Sequence, residues 1–374
     1  MASGEFPPRP GEAMRHRRVV IYSWMDVRNP RAGGDARYLG EIAKRLARDE
    51  LDVVWVTSRF HGSEEKCVYD GYTILRVGSI RTVYLAHHLS RRVADFLPCD
   101  VTVEVLSSIP FFLRRTGSHG DLLYINHVVP FSQMLRKVGP LAVIAFALDR
   151  IVAPVIYRRR RVLVPSKATE LEVKKLGYEK VRTFRNGIDT PQGPGVMKEH
   201  LIVAPGPIKP WKRHADIIRA LRNTDRDWKL TIFGHYESAA LERRLRNLAK
   251  DLGVADRVLF SGRVSNEEKL KILERASICV IASEKEGWGM AAVEAQAFGC
   301  PVIAYDVPGL RETVRHLETG LLVSPHEPGR LAAGISLLIK DPDLLDKMKA
   351  AASQFGQAYD WESSYRDFLS HLGP

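Results

Sequence analysis

Arg18-Val19-Val20-Ile21-Tyr22-Ser23-Trp24 is an apolar run of strand length, followed by a loop with Pro30, Gly33 and Gly34 and then by a helical pattern over residues 35–48. Residues 51–57 supply the next strand. Strand, helix and strand in that order make a βαβ unit, which implies a parallel sheet covered by helices on both faces. Working outward, further strand candidates are 73–77, 100–105, 122–126, 161–165 and 180–184, with helix-like stretches such as 142–157 and 168–176 between them. Residues 186–195 are dense in turn formers and lack periodicity, which marks a linker. A second alternation then runs through strands 201–204, 229–233, 258–261, 278–282, 301–305 and 320–323, separated by helices such as 213–221, 238–252, 266–276, 290–298 and 328–339. The expected class is α/β with two doubly wound domains, 18–192 and 193–356, a disordered lead-in over 1–17 and a last helix within 357–374. Ligands of such sheets sit beyond the carboxyl ends of the strands, so the cleft between the domains is the expected site.

A chain of 374 residues, at about 150 per domain, has room for two or three cores. With 45% hydrophobic and 27% charged residues and a mean hydropathy of −0.17, it is neither disordered nor fibrous in composition. Cys67, Cys99, Cys279 and Cys300 lie far apart and never as C-x-x-C, which fits a reducing, cytoplasmic compartment better than a zinc knuckle or a disulfide framework. The net charge of +12 is uneven: residues 1–190 hold 31 Lys and Arg against 20 Asp and Glu, and the remainder hold 25 against 24. A basic amino-terminal half suits nucleic acid, an anionic membrane or an anionic substrate, but no RNP, zinc-finger or basic-zipper pattern supports nucleic acid. The stretch before Arg18 is Pro-, Gly- and Arg-rich without an apolar signal core, and Met14 is a candidate start just ahead of the first strand. No apolar run reaches the roughly 18 residues of a membrane span; the nearest, 140–148, stops at Asp149-Arg150.

The strongest chemical signal is Glu286-Gly287-Trp288-Gly289-Met290-Ala291-Ala292-Val293-Glu294, directly after strand 278–282. Two glycines make the turn, a helix starts near Met290, and amides from Trp288 to Ala292 form an anion site suited to phosphate. The flanking carboxylates are poor phosphate ligands but good acceptors for sugar hydroxyls, so the segment predicts a sugar nucleotide. Its plainer reading is a strand-to-helix turn with solvated glutamates.

This segment resembles the E-x7-E motif of glycosyltransferase family 4, retaining enzymes of the GT-B fold, in which two Rossmann-like domains face each other across a cleft. The resemblance extends through Pro30-Arg31-Ala32-Gly33-Gly34-Asp35, Asn186-Gly187-Ile188-Asp189, Pro210-Trp211-Lys212-Arg213-His214, Phe233-Gly234-His235, Phe260-Ser261-Gly262 and Asp306-Val307-Pro308-Gly309. It implies that Glu286 accepts from the donor sugar, that Glu294 accepts from the ribose, and that Gly287, Trp288, Gly289, Met290 and Ala291 hold sugar and phosphate through their backbone. Lys212 matches the lysine that neutralises the donor diphosphate, and Arg263 joins the donor-binding set. His127 stands where the family places a histidine near the reacting carbon; its alternative is a satisfied core histidine. Gly33 and Gly34 let backbone approach a phosphate or sugar, or simply make a tight turn. Glu104 matches an acidic position expected to face the acceptor. One departure is Gly206-Pro207, where the family commonly has Gly-Arg; Lys209 is the candidate replacement cation.

The implied activity is metal-independent, retaining transfer of a hexose from a UDP-, GDP- or ADP-sugar to a glycan or lipid-linked acceptor, with no cofactor. Asp225-Arg226-Asp227 spells D-x-D but precedes strand 229–233, at the amino end of its sheet, so it reads as a solvated loop, as does Asp341-Pro342-Asp343. The apolar helix 140–157 ends in Arg158-Arg159-Arg160-Arg161, near Arg136-Lys137; it reads either as a surface resting on the inner face of a membrane or as a buried helix with a charged cap. Trp361, Tyr365, Phe368 and Leu369 fall on one helical face, and the resemblance implies that this helix crosses back to the amino-terminal domain. Two other functions stay open: a GT-B nucleotide-sugar isomerase, and a catalytically silent binding protein made thinkable by Pro207.

Overall fold

The computed structural model describes residues 17–107, 109–113, 117–193 and 196–372, with backbone alone for 117–120 and 136–138. The expected lead-in therefore lies outside the described residues apart from Arg17, as do the side chains of Arg136 and Lys137. Two units emerge: residues 17–187 with 361–372, and residues 188–360. The boundary falls at Gly187/Ile188 rather than after Gln192, because Ile188 pairs with Asp360 and donates to the Tyr359 carbonyl of its own unit.

The first unit is built on strands β1 (Arg18–Tyr22), β2 (Asp52–Thr57), β3 (Lys66–Tyr69), β4 (Tyr72–Arg76), β5 (Cys99–Val105), β6 (Gly117–Tyr124), β7 (Arg161–Val164) and β8 (Lys180–Thr183). Their order is β3-β4-β2-β1-β5-β6-β7-β8, parallel except for the β3–β4 hairpin. Central strands such as β1 and β2 are apolar on both faces, as helices on both sides of a parallel sheet require. The sheet turns back on itself between β1 and β5, so the loops after these two strands bound its ligand crevice.

The last helix, Trp361–Leu372, completes this unit. Its face of Trp361, Tyr365, Phe368, Leu369 and Leu372 is buried, and Trp361 lies 6.3 Å from Tyr38. Tyr365 donates to Asp49 at 2.9 Å, and Arg161 donates to the His371 carbonyl at 2.9 Å.

The crossover from β6 to β7 differs from the expectation of no membrane-length run. It is one helical stretch, Gly139–Ile156, long and apolar enough by composition to cross a membrane, with a mean hydropathy of 1.8 and only 28% of it buried. Asp149 and Arg150 interrupt the sequence without interrupting the helix, because they fall in a π turn at Leu148–Val152 where Asp149 is tucked in. The two readings of this helix thus resolve toward exposure: Leu141, Val143, Ile144, Ile151 and Val155 all project into solvent.

The second unit carries β9 (Leu201–Pro205), β10 (Lys229–Phe233), β11 (Val258–Gly262), β12 (Ile278–Ile281), β13 (Val302–Tyr305) and β14 (Gly320–Val323), in the order β11-β10-β9-β12-β13-β14, all parallel. Period-two geometry splits β9 between two cores: Ile202 and Ala204 pack on one side of the sheet, Leu201 and Val203 on the other. The direction reverses between β9 and β12. The D-x-D loop lies before β10, as expected, with the Asp225 carbonyl held by Arg257. Asp341 is exposed, as expected, but it caps the helix Pro342–Gln357 by accepting from Leu344 at 3.0 Å.

Candidate functional site

The two strands flanking the reversal in the second unit deliver the two loops that matter. From β9 the chain passes through Gly206 and Pro207 into a single 3-10 turn, Pro210–Lys212. From β12 it passes through Ser283 to Glu286 and then into the helix Met290–Ala297. The loops are tied by the Glu284 amide, which donates to the Trp211 carbonyl at 2.9 Å. Arg213 holds the end of the first loop in a left-handed conformation (φ 49°), anchored on Asp216 at 2.6 Å and on the His326 carbonyl at 3.2 Å. Asp216 is in turn fixed by Tyr305, whose hydroxyl donates to it at 2.9 Å.

This scaffold brings Lys212 onto Glu286. Their ammonium and carboxylate meet at 2.5 Å, both side chains more than four-fifths buried, and Ser283 donates to the same oxygen at 2.7 Å. Gly309 backs Glu286 so closely that a Cβ there would stand 2.3 Å from the Glu286 carbonyl oxygen. The helix that follows is capped by Gly289 at φ 98° with no side-chain acceptor, a conformation that selects glycine. Its amides are not all turned outward: Ala292 donates to the Gly289 carbonyl at 2.8 Å, so the expected anion nest closes at Ala291. One turn in, Glu294 pairs with Lys269 at 2.5 Å. Trp288 is buried, its carbonyl accepting from Thr313. Arg263 stands exposed directly beyond β11, and Lys209 lies over the Trp211 ring, 5.3 Å from its centroid.

In the first unit, Gly33 caps the helix Gly34–Arg48 with φ −104°, outside the left-handed region, and a Cβ there would meet only the Asp35 carboxylate, at 3.1 Å. The loop before it is pinned by a buried bidentate pair, Arg76 to Asp26 at 2.8 and 3.0 Å. His127 is half-buried in the loop after β6. Glu104 does not face an acceptor. It is fully buried, accepting from the Phe111 amide and the Tyr157 hydroxyl at 2.7 Å each and from Arg160 at 3.2 Å, and burial pushes its pKa up. Its role is to tie the end of β5 to the crossover helix. Among the described residues no group of three or more His, Cys, Asp or Glu side chains could hold a metal ion.

Lys269, Ser283, Asp216 and Tyr305 were not singled out in the sequence. Lys269 sits in Glu267-Glu268-Lys269-Leu270-Lys271, indistinguishable from a solvated helix face; Asp216 and Tyr305 meet across 89 positions of chain, whereas Ser283 reaches Glu286 only three residues on.

Residues 189–355 match the family described as Glycosyl transferases group 1. The whole described fold is GT-B. It is similar to the sucrose-phosphate synthase of Thermosynechococcus elongatus, with a TM-score of 0.80 at 20% identity over 95% of this chain and 98% of that one. It is also similar to Anabaena HepE solved with UDP-glucose, with a TM-score of 0.74 at 16% identity over 96% and 99%. Among curated relatives, the D-inositol 3-phosphate glycosyltransferase of Nocardia farcinica is 31% identical over 249 residues, 63% of this chain and 54% of the relative. The chain spans about half, or less, of the length of the curated relatives it matches.

Proposed function

We propose that the chain is a retaining hexosyltransferase of glycosyltransferase family 4, which moves a sugar from a nucleotide-sugar donor to an acceptor hydroxyl without a metal ion. The observation that carries this reading is the Lys212–Glu286 pair at the strand reversal, with Glu294 one turn into the helix behind it. A diphosphate arriving at Met290 competes for the Lys212 ammonium. Once the ammonium moves to phosphate, Glu286 is released to accept from the sugar hydroxyls, so donor binding replaces one ion pair with two charge-assisted contacts. Lys212 and the helix amides then stabilise the departing nucleoside diphosphate, while the acceptor attacks from the face the leaving group vacates and a donor phosphate oxygen takes its proton.

The donor is a UDP-, GDP- or ADP-sugar, and the UDP-glucose of the HepE complex makes UDP the first to try. The basic amino-terminal half suits an anionic acceptor, lipid-linked or a glycan, and the Nocardia relative adds a phosphorylated cyclitol to that class. The exposed face of Gly139–Ile156 fits a cytoplasmic enzyme lying on the inner face of a membrane. Both ends of this helix return to adjacent strands of one sheet, which favours lying on the bilayer over spanning it.

The test is sugar transfer from UDP-, GDP- and ADP-glucose with and without EDTA, the product's anomeric configuration being read by NMR. Turnover should survive EDTA and keep the donor configuration, and Lys212→Ala should lower kcat by ~10²–10³. An inverted product, or strict dependence on manganese or magnesium, would overturn the reading; donor binding without turnover would favour the silent binding protein that Pro207 suggests.

A further inference from the structure

The turn that presents Lys212 is closed by a residue in a strained conformation. Arg213 ends the 3-10 turn Pro210–Lys212 and opens the helix His214–Leu221 with φ 49° and ψ 40°, a left-handed backbone in which any Cβ is crowded. Strain of this kind persists only where the surroundings over-determine it. Here they do. Nε of Arg213 donates to Asp216 at 2.6 Å and a terminal nitrogen to the His326 carbonyl at 3.2 Å, while the guanidinium lies over the Tyr305 ring, 5.2 Å from its centroid. Tyr305 is fully buried at the end of β13, its ring stacked on that of His326 at 4.8 Å. Its hydroxyl donates to the Asp216 oxygen that Arg213 also uses, and Arg219 donates to the other oxygen at 3.2 Å. Burial, with Asp216 adding to it, raises the pKa of this phenol, so the hydroxyl keeps its proton and stays a donor.

We infer that Arg213 is a positioning residue for the diphosphate: its guanidinium, tied to the end of β13 and to the loop after β14, holds the turn that aims the Lys212 ammonium, and it touches no phosphate itself. The inference rests on the donor reading above. Asp216 and the His326 carbonyl commit Arg213 to the protein. The Lys212 ammonium, among the described residues, is held by Glu286 alone, an acceptor that sugar hydroxyls can release. The helix that follows is fixed in the core through Ile217, Ile218 and Leu221. Rotation about the Arg213 backbone would therefore swing Lys212 rather than the helix, and the guanidinium tether is what opposes that rotation.

The experiment is calorimetry of UDP, GDP and ADP, and then of the monophosphate of whichever binds most tightly, against the wild type, Arg213→Gly, Arg213→Ala, Lys212→Ala and the double variant Lys212→Ala/Arg213→Gly. Glycine takes the left-handed turn freely but cannot tether it, and alanine does neither. Arg213→Gly should therefore lower the preference for diphosphate over monophosphate by roughly tenfold, and Arg213→Ala by more, with monophosphate affinity within about twofold of the wild type in both. The double variant should match Lys212→Ala alone, because Arg213 acts through Lys212. Should Arg213→Ala cost folding, Arg213→Gly, whose backbone is unstrained, still carries the comparison. A wild-type preference in Arg213→Gly, equal weakening of both nucleotides, or a further loss in the double variant, which would mean direct contact with phosphate, would each overturn the inference alone. A wild type that binds none of the three diphosphates, or whose preference survives Lys212→Ala, would overturn the donor reading, and this inference with it.

Discussion

His87 stands between the rings of Tyr22 and Phe111, 5.5 and 5.3 Å away, with Nδ1 donating to the Val83 carbonyl and Nε2 buried without a hydrogen-bond partner. Burial lowers its pKa to about 4, and His214, buried at the start of its helix, is lowered to about 3. The unfolded chain takes up these protons near pH 6.5, whereas the folded protein resists them until far lower pH. Their contribution is therefore complete above pH 6.5 and is lost as pH falls toward 4, at up to ~1.4 kcal/mol per pH unit for each group. Urea midpoints should drop across that window, and His87→Phe should flatten the slope; an unchanged slope would remove His87 as a cause. The same scale shows what the sequence could not reveal. Glu104 reads like a site carboxylate because it ends a strand, yet its three donors come from residues 7, 53 and 56 positions further on.

Parallel strands buried on both faces are continuous apolar runs, which is why central strands such as β1, β2, β12 and β13 were legible and the edge strand β3 was not. That strand is a short antiparallel edge with Val68 exposed, and nothing in Lys66-Cys67-Val68-Tyr69 separates it from a loop. The glycine-rich turn into Met290–Ala297 was legible for the opposite reason: it needs backbone geometry that only certain residues supply. The crossover helix was legible as apolar but not as continuous, since a π turn absorbs Asp149 and Arg150. Its exposed face yields a direct expectation. Apolar burial contributes ~1.5–3 kcal/mol per side chain, so Leu141→Ser/Val143→Ser/Ile144→Ser should cut binding to anionic vesicles by at least ~10²-fold while leaving thermal unfolding nearly unchanged. Equal vesicle binding by variant and wild type would dismiss this face as a lipid contact.

At the scale of the molecule, the helix Trp361–Leu372 gives the first unit part of its core, so its removal should be read as a loss of stability before a loss of catalysis. Deleting residues 361–374 uncovers the partners of Trp361, Tyr365, Phe368, Leu369 and Leu372. That costs on the order of 10 kcal/mol, comparable with the ~5–15 kcal/mol total of a typical domain. The amino-terminal unit should then be degraded in limited proteolysis while residues 188–360 persist as a resistant fragment. Two intact units after the deletion would show that the helix merely covers a finished core.

A unit assembled from both sides of another has a consequence for how the protein is made. Residues 17–187 leave the ribosome first but lack their closing helix until Leu372 has been translated. At ~5–20 residues per second, synthesis of the intervening segment alone takes roughly ten to thirty-five seconds. During that interval the earlier-made sheet waits with an open apolar surface, while the later-made unit already has every residue of its own core. Birth order and folding order are thereby reversed, and the nascent chain's exposure to chaperones is greatest over the half that was translated first.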